Sequence, residues 1–363
     1  MIRALLIEDS RTVAAYVEAV LREAPDIEVL PTAPDGESGL AAVQALSPDV
    51  ILMDLELPGL DGVLVIEQIM ATDPRPIVVL SAHLQAPGRD RAFESLEAGA
   101  VEVLAKPLGV SAEEVEKFRG RLLQTVRLMS GARVVRRWGV RHRRGPVDPV
   151  LSLGLKAHAA APREAPLAAL RGMSRPQVVL IGGSTGAPPV IEHLLRAIGP
   201  ALSIPIVIAQ HTIAGFEEGL AQWLCGTGHV VRVVREAKLL AAGEVALARA
   251  DQHLSVRAGW LSLEPVAGRS PVPSADVLFG SAAEAYGAGA LALLLSGMGT
   301  DGARGLLELR RRGATTITQR ADTCVIDGMP GAARALGAGL WDLTPDEMGE
   351  VLRRAASGAG GGS

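Results

Sequence analysis

Cysteine is nearly absent: Cys225 and Cys324 are the only two in 363 residues. They make no disulfide framework and have no metal-ligand spacing, which fits a reducing cytoplasm. A dominant charge of one sign is missing too. A formal net charge of -4 over the whole chain gives no general attraction to nucleic acid or an anionic membrane. Long apolar runs are also lacking. The opening segment MIRALLIEDSR is cut by Glu8 and Asp9 before it could form a signal-peptide core, and no small-residue cleavage site follows. The stretch from Ala288 to Leu295 is interrupted by Gly289 and falls far short of the roughly 20 residues of a membrane-spanning helix. The expectation is a soluble cytoplasmic protein with no membrane insertion.

What is present is enough apolar side chain, 48% of residues, to fill two cores in a chain too long for one. Residues 1–125 alternate short β-branched runs with amphipathic stretches, the pattern of a doubly wound parallel sheet. The runs predict strands at Ile2 to Ile7, Ile27 to Leu30, Val50 to Met53, Ile77 to Leu80 and Val101 to Leu104. Helices are expected from near Arg11, Gly36, Val63 and Arg89, and from Ser111 to about Met129. This is the size of a flavodoxin-like domain. Periodicity then fails, and residues 126–175, rich in Arg, Pro, Gly and Ala, read as a linker. Its run Arg141, His142, Arg143, Arg144 has no reading helix or aromatic platform beside it, so it reads as a solvated tether, with no nucleic-acid partner. A second, Rossmann-like α/β pattern covers 176–354, with strands starting near Gln177, Ile206, Ala290 and Thr315. The end, 355–363, is a flexible tail.

In the first domain, Glu8 and Asp9 follow the first strand and Asp54 the third, at the edge where open α/β sheets bind ligands. Three crowded carboxylates need a hard cation such as Mg²⁺. Ser81 after the fourth strand and Lys106 after the fifth are suited to phosphate oxygens, leaving Asp54 as the phosphoryl-accepting nucleophile. The segments LLIEDSR, MDLELPGLDG and AKP resemble the receiver domains of two-component response regulators over residues 1 to about 125. The resemblance implies that a histidine kinase phosphorylates Asp54. It further implies that Glu8, Asp9 and Asp54 hold Mg²⁺ with the Glu56 backbone carbonyl, and that Lys106 precedes a cis peptide at Pro107. Two positions depart from the common pattern: Val103 stands where many receivers carry Phe or Tyr, and Ser81 replaces the more frequent Thr while keeping the hydroxyl.

In the second domain, VVLIGGSTGAPPVIEHLL reads as strand, glycine turn and a helix starting near Ala187 or Pro188, which presents Ser184 at a helix N-terminus. Alone, such a turn could equally hold a phosphate or dinucleotide, although it lacks both the GxGxxG spacing and the Walker lysine. Two further strands, IVIAQHT and ALALLLSGMGTDGA, end in His211 and in a glycine turn carrying Met298 and Asp301. Nucleophile, base and orienting carboxylate would meet at one sheet edge, in the order Ser, His, Asp rather than the Ser, Asp, His order of α/β-hydrolases. His229, His253, Asp276 and Asp327 follow less clear strand ends, and His253 is assigned a structural or substrate-rim role.

The motifs GGSTGA, AQHT, SGMGTDGARGL and DGMPGAA closely resemble the catalytic domain of chemotaxis protein-glutamate methylesterases over residues 176 to about 354. Gly183 and Ala187 stand where relatives often carry Ala and Gly. The resemblance implies Ser184 as nucleophile, His211 as base and Asp301 as its partner, with Thr185 and Met298 beside the oxyanion site. It also implies methylated chemoreceptors as substrates, methanol as product, deamidation of receptor glutamines, and no cofactor for hydrolysis. The alternative is a non-enzymatic response regulator that binds a partner when phosphorylated. A transcription factor is disfavoured for want of a helix-turn-helix signal.

Overall fold

β-Branched and leucine side chains recur in runs too short for helices and too apolar for half-exposed strands, so the strands they form are buried on both faces. The structure, a computed structural model, describes residues 1–81, 91–107, 111–132, 134, 175–199, 203–212, 215–257, 259–266 and 271–357. The basic run at 141–144, nearly all of the expected linker, the helix start at Arg89 and the tail from 358 lie outside the described residues.

The first sheet has the order β2-β1-β3-β4-β5, all parallel, from β1 (Ile2–Ile7), β2 (Ile27–Val29), β3 (Val50–Asp54), β4 (Ile77–Ser81) and β5 (Glu102–Ala105). Alternation along β1 sends Leu5 and Ile7 to one face, with Ile51 and Met53 of β3, and Ala4 and Leu6 to the other, with Val50 and Leu52. Helices α1 (Arg11–Arg22), α2 (Gly36–Leu46), α3 (Gly62–Thr72), α4 (Arg91–Ala98) and α5 (Ala112–Met129) complete the domain. Ser10, Asp35, Asp61 and Ser111 cap α1, α2, α3 and α5 through their side chains, which fixes where each helix begins.

The second sheet has seven parallel strands in the order β15-β14-β13-β6-β7-β10-β8. They are β6 (Val178–Gly183), β7 (Ile206–Gln210), β8 (Val231–Val233), β10 (Val245–Leu247), β13 (Ala290–Leu294), β14 (Thr315–Gln319) and β15 (Trp341–Leu343). The chain leaves β6 on one side for β7 and returns on the other at β13, so a crevice opens at the carboxyl ends of these three neighbours. Packed around the sheet are α6 (Pro188–Ile198), α7 (Phe216–Cys225), α8 (Ala275–Tyr286), α9 (Ala303–Arg311), α10 (Met329–Ala335) and α11 (Pro345–Ser357). A small antiparallel sheet of β9 (Lys238–Leu239), β11 (His253–Arg257) and β12 (Trp260–Glu264) was not expected from the sequence. β11 (HLSVR) and β12 (WLSLE) do alternate, whereas β9 has only two residues and shows no period.

One expectation is corrected. Among the described residues the cis peptide is Val272–Pro273, and the Lys106–Pro107 bond is trans. Lys106 reaches its carboxylate partners from this trans bond, with its N–H donating to Ser81 O at 2.8 Å. No described helix is long and apolar enough to cross a membrane.

Candidate functional site

At the carboxyl end of the first sheet, ligand oxygens of Glu8, Asp9 and Asp54 lie within 4.8 Å of one another. Glu8 and Asp54 are buried, Asp9 is exposed, and the Lys106 ammonium bridges Glu8 Oε2 and Asp54 Oδ2 at 2.7 Å each. Burial raises the Glu8 carboxyl above its ordinary value, because one ammonium does not fully offset desolvation and the nearby Asp54 charge. Burial would lower Lys106, but its bonds to Asp54 and Glu8 outweigh that and raise it. The Glu56 N–H donates to Asp54 Oδ1 at 3.3 Å. Ser81 ends the neighbouring strand β4, half-buried. This donor set, hard oxygens with one cation, suits Mg²⁺ and phosphate chemistry.

At the second sheet, Ser184 follows β6, His211 follows β7, and Asp301 lies on the turn after β13. Backbone bonds tie these strand ends together. The His211 N–H donates to Gly183 O at 2.9 Å, and the Ser184 N–H to Ser296 O at 3.0 Å. The Gln210 side-chain amide bridges them again, donating to Ser184 O at 2.9 Å and to His211 O at 3.0 Å. Gly297 has to be glycine: a Cβ there would lie 2.4 Å from Met329 Sδ and 2.7 Å from Ser184 Cβ.

His211 Nε2 lies 2.8 Å from Asp301 Oδ2, which leaves Nδ1 as the nitrogen turned away from the carboxylate. Desolvation would raise the Asp301 carboxyl, but hydrogen bonds from His211, Ser274 and the Ala275 N–H outweigh it and hold the group below its usual value. The backbone N–H groups of Thr185 and Met298 have no acceptor among the described residues, so both are free to meet an oxyanion. Among those residues, too, no hydrogen bond joins the Ser184 hydroxyl to His211.

The first domain closes over this crevice. Leu96, Val101, Glu102, Val103 and Arg121 share a cavity of about 30 Å³ with Ser184, Thr185 and His211, room for about one or two waters. Thr185 Oγ1 donates to Glu102, Gln124 Nε2 lies 3.7 Å from Met298 Sδ, and Trp223 Nε1 donates to Glu97 at 2.8 Å. Phe93 of α4 packs on Phe216 and Trp223 of α7, with ring centroids 4.4 and 5.5 Å apart. Val103, where an aromatic is more usual, is thus a buried wall of the shared cavity.

The competing candidates stand elsewhere. His229 is buried with Nδ1 2.9 Å from Thr227 Oγ1, and Asp327 is paired with Arg334. Asp276 caps the α9 region, accepting from the Gly305 N–H at 2.8 Å. His253 is buried and accepts from the Ser274 N–H at 3.1 Å through Nδ1. Sequence reasoning missed Glu102, Gln210 and Ser274. Of these only Ser274 had a local signal, a serine just before the apolar run ADVLF, the mark of a helix N-cap.

Comparison with known proteins adds two family matches: residues 4–115 fit the response regulator receiver domain, and residues 179–352 fit the CheB methylesterase. A protein-glutamate methylesterase/protein-glutamine glutaminase of Anaeromyxobacter dehalogenans is 39% identical over 97% of this chain and 98% of its own. One from Geobacter metallireducens is 35% identical over the same shares, and one from Nitrosospira multiformis is 35% identical over 97% of this chain and 96% of its own.

Proposed function

Because the chain belongs to the CheB methylesterases that carry a response regulator receiver domain, we propose that Ser184, His211 and Asp301 hydrolyse glutamate methyl esters on chemoreceptors under the control of phosphorylation at Asp54. The protein is a carboxylic ester hydrolase of chemosensory signalling, and the non-enzymatic alternative is not favoured. The observation that carries the residue assignment is the 2.8 Å contact of His211 with a buried, multiply bonded Asp301 at the strand ends that flank Ser184.

His211, with Nε2 held by Asp301, takes the Ser184 proton as the oxygen attacks the ester carbonyl carbon. The Thr185 and Met298 N–H groups receive the developing oxyanion, each such donor contributing about 3 kcal/mol. The histidine returns the proton to the departing methoxide, methanol leaves, and Ser184 holds the glutamyl acyl group. Water, deprotonated by His211, releases glutamate and restores the serine. With a glutamine side chain the same steps expel ammonia, the second activity in the relatives' names.

In the receiver, Glu8, Asp9, Asp54 and the Glu56 carbonyl would hold Mg²⁺, which would supply charge neutralisation for phosphoryl transfer from a histidine kinase. Lys106 and Ser81 would contact the phosphoryl oxygens on Asp54. The receiver crowds this crevice through its contacts with Thr185, Met298 and α7, and phosphorylation at Asp54 would act by loosening them so that substrate enters. Residues 1–125 and 176–354 are accordingly the receiver and the catalytic domain, acting in the cytoplasm. The test is methanol release from methylated chemoreceptor membranes by the parent and by Ser184→Ala, each with and without a small-molecule phosphodonor and Mg²⁺. Release that requires Ser184 and rises with phosphodonor is expected. A parent that releases none under any condition would sink the reading.

A further inference from the structure

The Asp301 carboxylate is held by more than its histidine. Oδ2 accepts from His211 Nε2 at 2.8 Å and from the Ala275 N–H at 2.6 Å. Oδ1 accepts from Ser274 Oγ at 2.7 Å and from the Asp276 N–H at 3.2 Å. An ionised carboxylate has about four acceptor positions, and all are used. Three of the four donors belong to the start of α8, whose positive end also favours the negative charge. Gly302, beside Asp301, lets that helix come so close: its φ is +82°, and a Cβ would lie 2.6 Å from Leu294 Cδ1 and 3.0 Å from Ala275 Cβ.

We infer that Ser274 is a positioning residue of the hydrolytic reaction, its hydroxyl fixing the Asp301 carboxylate in the orientation that meets His211. Ser274 can do this because it is itself immobile. It is 1% exposed, and its N–H donates to His253 Nδ1 at 3.1 Å. For that bond His253 presents a lone pair, which places any ring proton on Nε2 and keeps the buried imidazole neutral. Burial favours the same neutral form. His253 comes from β11, so the small antiparallel sheet reaches the active site through Ser274. The titratable groups facing Asp301 are His211 from the end of β7, His253 from β11, and Asp276 of α8, with Arg304 of α9 3.5 Å from Asp276.

Ser274 also caps α8, accepting from the Val277 N–H at 3.3 Å, so a purely structural role has to be separated from a positioning one. The inference rests on the reading of Ser184, His211 and Asp301 as the reacting group of residues. The experiment uses the full chain with phosphodonor and Mg²⁺, and measures kcat and KM for methanol release across pH. Ser274→Ala is expected to lower kcat about tenfold, the scale of one lost hydrogen bond to a charged group, with KM nearly unchanged. The acidic limb of kcat/KM moves upward, because a carboxylate with one donor fewer protonates more readily and attracts the imidazolium more strongly. Ser274→Gly, a tolerated N-cap, is expected to behave like Ala, and Ser274→Thr to restore the rate. Should both Ala and Gly variants keep the parental kcat and limb, with only Tm lowered, Ser274 is a helix cap and the inference is wrong. An Asp301→Ala variant separates the two levels: if it keeps the parental rate, the reading of the three residues falls and this inference with it.

Discussion

Glu8 and Asp301 occupy comparable places, each at the carboxyl edge of a parallel sheet after an interior strand and each almost wholly buried, yet their carboxyls are displaced in opposite directions. Burial prevails at Glu8, which shares one ammonium with Asp54 and is raised. Donors prevail at Asp301, which is lowered. The difference separates two designs. The receiver keeps Glu8 under-compensated beside Asp9 and Asp54, so that a cation would complete the site. In the esterase crevice the Asp301 carboxylate has its donors in place before substrate arrives, the condition for electrostatic preorganisation.

The sharpest break of this comparison is Asp301→Asn. It keeps the shape but offers His211 an amide in place of an anion, and kcat for methanol release should fall about 10³- to 10⁴-fold. The stability of the parent has a matching sign. A carboxyl lowered from 3.8 contributes stability that is fully present above that value and is lost as pH falls through its folded pKa. Urea midpoints at pH 7 and near pH 3 should therefore converge between parent and Asn variant on the acid side. A gap that widens in acid would contradict the lowered carboxyl.

A smaller effect is expected where the two regions touch. Trp223 lies outside the crevice but holds Glu97 and stacks on Phe93. Trp223→Ala removes an aromatic contact and a hydrogen bond from the closed state, so the rate without phosphodonor should rise about three- to tenfold. The gain from phosphodonor should shrink by a similar factor. An unchanged basal rate would mean that this contact does not hold the receiver down.

These contacts also mark where sequence reading stops. The strand ends were legible because β6, β7 and β13 are unbroken apolar runs that finish at Gly183, Gln210 and Leu294, placing Ser184, His211 and Asp301 at one edge. Glu8, Asp54 and Lys106 were legible in the same way, at or just past the ends of apolar runs. Glu102 was not, since nothing in a strand's period says that its outward residue will meet Thr185 of another domain. Ser274 announced itself as a helix cap but not as the partner of an aspartate 27 residues onward, because that pairing is made only when α8 packs beside the turn after β13. The trans bond at Lys106–Pro107 lay beyond residue pattern altogether, since both isomers suit an AKP sequence.

The mildest prediction concerns Glu8. Three carboxylates face one ammonium, and Glu8 is the member whose side chain is fully enclosed. Glu8→Gln keeps the volume and an acceptor for Lys106, and leaves Asp54 as the lysine's ionic partner. At pH 7 without Mg²⁺ the variant should melt about 3 °C higher, the shift expected of roughly 1 kcal/mol in a domain of this size. The sign follows from a raised carboxyl. Ionised Glu8 costs stability above its folded pKa, and the cost disappears as pH falls below the unfolded value of 4.5. The advantage of the glutamine should fade over that interval, and adding Mg²⁺ should reverse it, because the parent offers the cation an anionic carboxylate oxygen where the variant offers a neutral amide oxygen. A variant less stable than the parent at pH 7 without Mg²⁺ would show that the Lys106 bridge outweighs the crowding, and Glu8 would then be as well compensated before activation as Asp301.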